Sequence, residues 1–171
     1  MTCRQAGTIT CHGNSGMGTA MSGKSFTVIS ESVCETVDLG AAIGRQLKGG
    51  ELIGVSGPLG SGKTHLIKGI ASGAGAGDGR YVTSPTFVII NQYEARLPIY
   101  HIDAYRLKTP RELEMAGFDE LCSDRAAVLI EWADKVEQLL RSIPHVDVEI
   151  SLRSENSREI RLCSVPDYME L

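Results

Sequence analysis

A glycine-rich motif at residues 57–64, G-P-L-G-S-G-K-T, constrains the fold of this chain more than any other feature. It follows an apolar run at residues 51–56 that is typical of a buried strand. A strand, G-x-x-x-x-G-K-T and a helix in this order predict a phosphate-binding loop, whose backbone N–H groups and helix N-terminus face a phosphate. In such a loop Lys63 reaches the β- and γ-phosphates of a nucleotide, and the Thr64 hydroxyl binds Mg²⁺. The motif makes the following residues nucleotide-binding candidates: Gly57, Gly60, Ser61, Gly62, Lys63 and Thr64.

A second stretch, residues 18–25, also satisfies the pattern G-x-x-x-x-G-K-[ST], but its surroundings do not fit. The residues before it are polar and rich in glycine. The β-branched run at residues 26–29 predicts a strand where a phosphate loop needs a helix. We therefore assign the site to residues 57–64.

Composition favours a single globular domain. The chain has 171 residues, with 42% hydrophobic and 22% charged residues, which is enough for one core. A net charge of −4 argues against a broad surface for nucleic acid, so we expect any contact with RNA to be made through a partner or a local patch. No apolar run is long enough to span a bilayer, and five cysteines without a C-x-x-C pair favour reduced thiols in the cytoplasm. Residues 1–24, rich in Gly, Ser and Thr, are predicted to be a disordered leader before one domain at residues 25–171.

The order of the elements predicts an α/β fold. Strand patterns occur at residues 26–30, 51–56, 86–90, 97–102, 126–130, 147–152 and 159–165. Helices are predicted from the capping box at residues 32–35, from residue 109, and over residues 133–143. Alternation of strands and helices indicates a three-layer fold of the P-loop NTPase type. Its central sheet should be largely parallel, with antiparallel strands at the margins.

Two carboxylates are candidates for the other half of the site. A phosphate loop needs an acidic group on a neighbouring strand to hold Mg²⁺, directly or through water. Asp103 and Glu131 each follow a predicted strand, and parallel strands end at the same edge of a sheet. The sequence does not decide which of them binds the metal directly. His101 is predicted to be a hydrogen-bonded structural residue rather than the alternative, a metal ligand, and Trp132 either borders the nucleotide or fills the core.

A hydroxyl-rich run, T-S-P-T at residues 83–86, precedes a predicted strand. Hydroxyl groups in a loop near a γ-phosphate can sense hydrolysis, which makes Thr86 a candidate switch residue. The alternative is a simple turn whose geometry is fixed by Pro85.

Together, the motifs resemble those of one family. The phosphate loop, S-P-T-F at residues 84–87, H-I-D-A-Y-R-L at 101–107 and E-W at 131–132 resemble the TsaE (YjeE) family over residues 26–165. The resemblance implies a small bacterial ATPase that binds Mg·ATP and hydrolyses it slowly. It also implies that the protein acts on TsaD and TsaB, which form threonylcarbamoyladenosine (t6A) in tRNA.

The resemblance also implies roles for individual residues. The catalytic residues would be Lys63, Asp103, Glu131 and Thr86, and the metal contacts Thr64, Glu131 and Asp103. ATP would further contact Ser32, Val33, His65, Trp132 and Arg158. This chain departs from the family pattern at His65, where a second threonine is common, and at Ser157, where glycine is usual.

Two other functions could use the same loop. A small-molecule kinase would need an acceptor pocket and an arginine-rich lid, but the basic residues are scattered. A non-catalytic adaptor would bind ATP without turnover, whereas the combination of Lys63, Thr64, Asp103 and Glu131 favours hydrolysis. A GTPase is not expected, because the sequence has no N-K-x-D element.

Overall fold

The computed structural model describes residues 9–12, 23–77 and 89–171. Its strands are β1 Ile9–His12, β2 Lys24–Ser30, β3 Leu52–Ser56, β4 Ile90–Tyr93, β5 Ile99–Asp103, β6 Ala127–Glu131, β7 Val146–Leu152 and β8 Arg158–Val165. Its helices are α1 Val33–Gln46, α2 Lys63–Gly73, α3 Pro110–Met115, α4 Phe118–Leu121 and α5 Glu137–Leu140, with 3-10 turns at Ala104–Arg106 and Ala133–Val136.

The strands of the described residues form one sheet in the order β1-β2-β8-β7-β3-β6-β5-β4. Its centre, β7-β3-β6-β5, is parallel. Antiparallel pairing adds β8, β2 and β1 on one side and β4 on the other. This arrangement confirms the predicted α/β fold with antiparallel strands at the margins. Because the central strands run in the same direction, the residues that follow β3, β5 and β6 meet at one edge.

Helices cover both faces of the sheet, which gives three layers. On one face, α1 and α2 bury Ile53 and Val55 of β3. On the other face, Leu52 of β3 and Ile130 of β6 pack in a second cluster with Phe118 of α4. All five residues of β6 are buried, as expected for a central parallel strand.

Two pairs of glycines bring α1 and α2 into backbone contact. A Cβ atom at Gly40 would lie 2.3 Å from the Leu66 carbonyl oxygen, and one at Gly44 would lie 2.0 Å from the Ile70 carbonyl oxygen. Gly69 and Gly73 approach the backbone of α1 in the same way. The contact fixes the beginning of α1 relative to the beginning of α2, where the phosphate loop ends.

Two expectations about the elements agree with the structure only in part. Residues 9–12 form β1, so this part of the expected disordered leader is ordered; residues 1–8 and 13–22 lie outside the described residues. Residues 133–143 are not one helix: the backbone at Val136 (φ −120°, ψ 18°) separates a 3-10 turn from the short α5. The amphipathic pattern is nevertheless real, since Val136 and Leu140 are both buried.

No helix in the described ranges has both the length and the apolar character needed to cross a membrane.

Candidate functional site

The phosphate loop connects β3 to α2 at the carboxyl edge of the parallel strands. Gly57, Gly60 and Gly62 have φ values of 140°, 77° and 104°, which side chains disfavour. A Cβ atom at Gly57 would also lie 2.3 Å from the Ile150 carbonyl oxygen of β7. The Ser61 hydroxyl is buried and has no hydrogen-bond partner among the described residues. The loop thus contains a polar group that a ligand could satisfy.

The ammonium group of Lys63 lies inside this loop. Its Nζ donates hydrogen bonds of 2.8 Å to the carbonyl oxygens of Gly57 and Pro58. It also lies 3.5 Å from the centroid of the Trp132 ring, within cation–π range. Burial lowers the pKa of Lys63, while the negative charges of nearby carboxylates, with Glu131 the strongest, oppose the shift.

Thr64 and Glu131 meet across the gap between α2 and β6. The Thr64 hydroxyl donates a 2.7 Å hydrogen bond to Oε1 of Glu131, whose side chain is almost completely buried. The other carboxylate oxygen, Oε2, lies 3.3 Å from Nε2 of His101. Burial raises the pKa of Glu131, but the hydrogen bonds from His101 and Thr64, with the positive charge of Lys63, hold it below its ordinary value. Glu131 is therefore an ionised carboxylate at the mouth of the loop.

Asp103 lies directly beside Glu131 in the sheet. The two residues are register partners on the parallel strands β5 and β6, so their side chains leave the same face. The Asp103 Oδ1 atom accepts a 3.0 Å hydrogen bond from the backbone N–H of Tyr105, which caps the following 3-10 turn. The structure thus brings both candidate carboxylates to the same edge as Lys63 and Thr64.

Trp132 has an unusual backbone. Its φ of 62° places a large side chain in the left-handed region, a conformation that costs about 1–3 kcal/mol and is concentrated at functional sites. The ring contacts both the Lys63 ammonium and the Tyr105 ring, whose centroid is 4.8 Å away. The left-handed turn therefore directs the indole onto the phosphate loop.

Arg158 approaches the loop from β8, on the opposite side from Glu131. Its side chain is buried, with Nε donating a 3.0 Å hydrogen bond to the Ser61 carbonyl oxygen and Nη1 donating to Asn156 O at 3.2 Å. A Cβ atom at Gly62 would lie 3.2 Å from the same Nε. In this structure Arg158 therefore holds the backbone of the phosphate loop.

The remaining candidates surround this cluster less closely. Ser32 caps α1 by accepting a 3.2 Å hydrogen bond from the N–H of Glu35, and Val33 is 43% exposed beside it. His65 lies in the first turn of α2, where burial and then the charges of Lys68 and Arg158 lower its pKa. Thr86, the candidate switch residue, lies outside the described residues.

Sequence reasoning missed three neighbours of the site. The carboxylate of Asp134 acts electrostatically on Lys63, and the ring of Tyr105 packs against Trp132. The Tyr93 hydroxyl lies 3.4 Å from Nδ1 of His101. Asp134 could have been found from its position two residues after the E-W pair. The other two depend on the pairing of strands and on a local turn, which spacing along the chain does not reveal.

Comparison with known proteins assigns the family. A family model described as "Threonylcarbamoyl adenosine biosynthesis protein TsaE" matches residues 30–160. The chain belongs to the TsaE family. This confirms the resemblance inferred from the motifs.

Individual TsaE relatives agree with this assignment over most of their length. The "tRNA threonylcarbamoyladenosine biosynthesis protein TsaE" of Treponema pallidum is 35% identical over 134 residues, covering 77% of this chain and 96% of the relative. A protein of the same name from Bacillus subtilis is 37% identical, covering 72% and 76%. The crystal structure of Bacillus subtilis YdiB superposes with a TM-score of 0.65 at 28% identity, covering 81% of this chain and 84% of that one. The structural match is therefore consistent with the family assigned from the sequence matches.

Proposed function

We propose that this chain is a cytoplasmic, Mg²⁺-dependent ATPase of low intrinsic rate that supports t6A modification of tRNA by acting on the TsaD–TsaB complex. The observation that carries the proposal is the 2.7 Å hydrogen bond between Thr64 and Glu131 beside the buried ammonium of Lys63. It joins the phosphate loop to an ionised carboxylate on the neighbouring strand, which is the pairing that Mg·ATP requires.

The loop is suited to a triphosphate. An unsatisfied buried hydroxyl costs about 1–3 kcal/mol, and a phosphate oxygen would offer Ser61 the missing partner. Lys63 would exchange its two bonds to loop carbonyl oxygens for stronger ones to phosphate. The N-terminus of α2 begins at that residue, so its free N–H groups and dipole favour an anion at the same place.

The donor set also fits Mg²⁺. The Thr64 hydroxyl gives its hydrogen to Glu131, which leaves its oxygen lone pairs free for a cation. Mg²⁺ is usually held by one or two carboxylates together with phosphate oxygens and water, and Asp103 offers the second carboxylate. When bound, the metal would neutralise charge on the phosphate oxygens. Asp103 and Glu131 would hold its water ligands or orient the attacking water.

Family membership supports a place in threonylcarbamoyl adenosine biosynthesis. The motif resemblance implies TsaD and TsaB as the partners within that modification. A net charge of −4 is unfavourable for gripping tRNA directly, so we expect tRNA to be reached through those proteins. Leu59, 78% exposed at the tip of the phosphate loop, would allow a partner to sense the state of the loop.

Reconstitution tests the proposal. Purified chain, ATP and Mg²⁺ are combined with TsaD, TsaB and substrate tRNA, and both phosphate release and t6A formed per TsaD are measured. We expect slow phosphate release, at a rate that TsaD and TsaB alter. We also expect repeated modification cycles only when the chain is present. A phosphorylated metabolite in place of free phosphate would indicate a kinase. Full cycling with Lys63→Ala would refute the nucleotide-dependent role.

A further inference from the structure

A chain of hydrogen-bonding groups runs from the edge strand β4 to the Thr64–Glu131 pair. His101, on β5, is completely buried. Its Nε2 atom lies 3.3 Å from Oε2 of Glu131, and its Nδ1 atom lies 3.4 Å from the hydroxyl of Tyr93 on β4. That hydroxyl also accepts a hydrogen bond of 3.3 Å from the side-chain amide of Asn91. These hydrogen bonds therefore link β4 to β5 and β5 to β6, where they reach the site.

The ionised carboxylate of Glu131 sets the direction of the first of these hydrogen bonds. An ionised carboxylate only accepts hydrogen bonds, so the hydrogen between His101 and Glu131 belongs to Nε2. In the tautomer with its only hydrogen on Nε2, the imidazole accepts at Nδ1 and the Tyr93 hydroxyl is the donor there. The bond from Asn91 to the Tyr93 oxygen is compatible with this direction. In that tautomer all donors of this hydrogen-bonded series point towards Glu131.

We propose that His101 and Tyr93 are positioning residues that fix the Glu131 carboxylate with one oxygen towards Thr64 and the metal. This role rests on the proposed function. His101 reaches the site through its contact with Glu131, and Tyr93 reaches it through His101. A second-layer partner of this kind orients a metal-binding group and raises its affinity, in the way that carboxylates orient metal-binding histidines.

Removal of the His101 donor leaves Oε2 of Glu131 without this partner in a residue that is only 5% exposed. Rotation of the carboxylate towards another partner would break its bond to Thr64. The consequence falls on the metal rather than on the phosphates, because Lys63 and the loop backbone are held by other contacts. Loss of second-layer partners typically weakens metal binding about 10- to 100-fold.

Four variants separate this role from general destabilisation. His101→Leu removes both hydrogen bonds, while His101→Gln keeps a side-chain N–H donor that can reach Glu131. Tyr93→Phe removes only the Tyr93 hydroxyl. It tests the hydrogen-bonded series even where a change at the buried His101 impairs folding. Tyr100→Phe is the matched control. It removes a hydroxyl from β5, the strand of His101, at a residue that does not belong to the hydrogen-bonded series described above.

The main readout is the gain in ATP affinity that Mg²⁺ produces, measured by calorimetry in EDTA and in MgCl₂. We expect His101→Leu to lower this gain about 10- to 100-fold with little change in EDTA, and His101→Gln to restore most of it. Tyr93→Phe should lower it about two- to tenfold, the effect of one hydrogen bond. An undiminished gain in both His101→Leu and Tyr93→Phe, or an equal effect of Tyr100→Phe, would overturn the positioning role.

A second readout needs no nucleotide. Nitrogen-15 NMR of the imidazole should show the His101 hydrogen on Nε2 in the free protein, and a dominant Nδ1–H form would overturn the inference. The two readouts keep this inference distinct from the proposed function. Failure of the wild-type chain to bind ATP would refute the function, whereas normal wild-type binding with unaffected variants would refute only the positioning role.

Discussion

The contact between α1 and α2 makes Gly44→Ala a sharp test of the packing. Alanine normally stabilises a helix by about 1 kcal/mol relative to glycine. Here the new Cβ atom would lie 2.0 Å from the Ile70 carbonyl oxygen, whereas ordinary contact begins at 3.4 Å, so the helices would have to separate by about 1.4 Å. Overpacking of a core costs about 1–3 kcal/mol, and a backbone oxygen cannot rotate away as a side chain can. We therefore expect a cost at the upper end of this range, about 3 kcal/mol, which leaves a net loss of about 2 kcal/mol after the gain in helix propensity.

That loss corresponds to a melting temperature lower by about 4–8 °C for a chain of this size, measured by calorimetry or circular dichroism. Ser72→Ala is the matched control, because it raises helix propensity on the exposed side of α2. It should leave the melting temperature unchanged or slightly raised. A Gly44→Ala variant as stable as the wild type would show that the two helices do not approach as closely as described.

Three further predictions concern the site itself. Glu131→Gln should slow Mg²⁺-dependent phosphate release by about 10- to 100-fold while ATP affinity in EDTA changes little; equal losses in both would refute a metal role. Emission from Trp132, the only tryptophan, should shift on addition of Mg·ATP, because the Lys63 ammonium 3.5 Å from its ring would turn towards phosphate; a flat titration would contradict this. Burial raises the pKa of Glu131, but hydrogen bonds and the charge of Lys63 lower it below 4.5 overall. The contribution of Glu131 to stability is therefore present above pH 4.5 and is lost as the pH falls through the folded pKa. Lowering the pH below 4.5 should therefore reduce the free energy of unfolding less in Glu131→Gln than in the wild type.

Much of the fold and of the site could be predicted because the signals are local. The phosphate loop is a continuous motif whose glycines are needed for its backbone, at Gly57 above all. Asp103 and Glu131 could be placed together because parallel strands end at the same edge, and their register pairing agrees with that reasoning. The roles assigned to these residues stay predictions.

Other features depend on tertiary structure and could not be predicted in this way. β1 pairs antiparallel with β2, and the four-residue run at Ile9–His12 gives little signal by itself. The break at Val136 leaves the spacing of buried residues unchanged, so periodicity cannot distinguish it from one helix. The bond between Tyr93 and His101 requires the antiparallel pairing of β4 with β5, which no spacing along the chain encodes.

Calorimetric titration of the chain with ATP in the presence of Mg²⁺ decides whether the loop at residues 57–64 binds nucleotide. We expect saturable heat of binding to the wild type, its loss in Lys63→Ala, and its retention in Lys24→Ala, which alters the motif at residues 18–25 instead. No heat with the wild type, or equal binding by Lys63→Ala, would refute nucleotide binding at this loop.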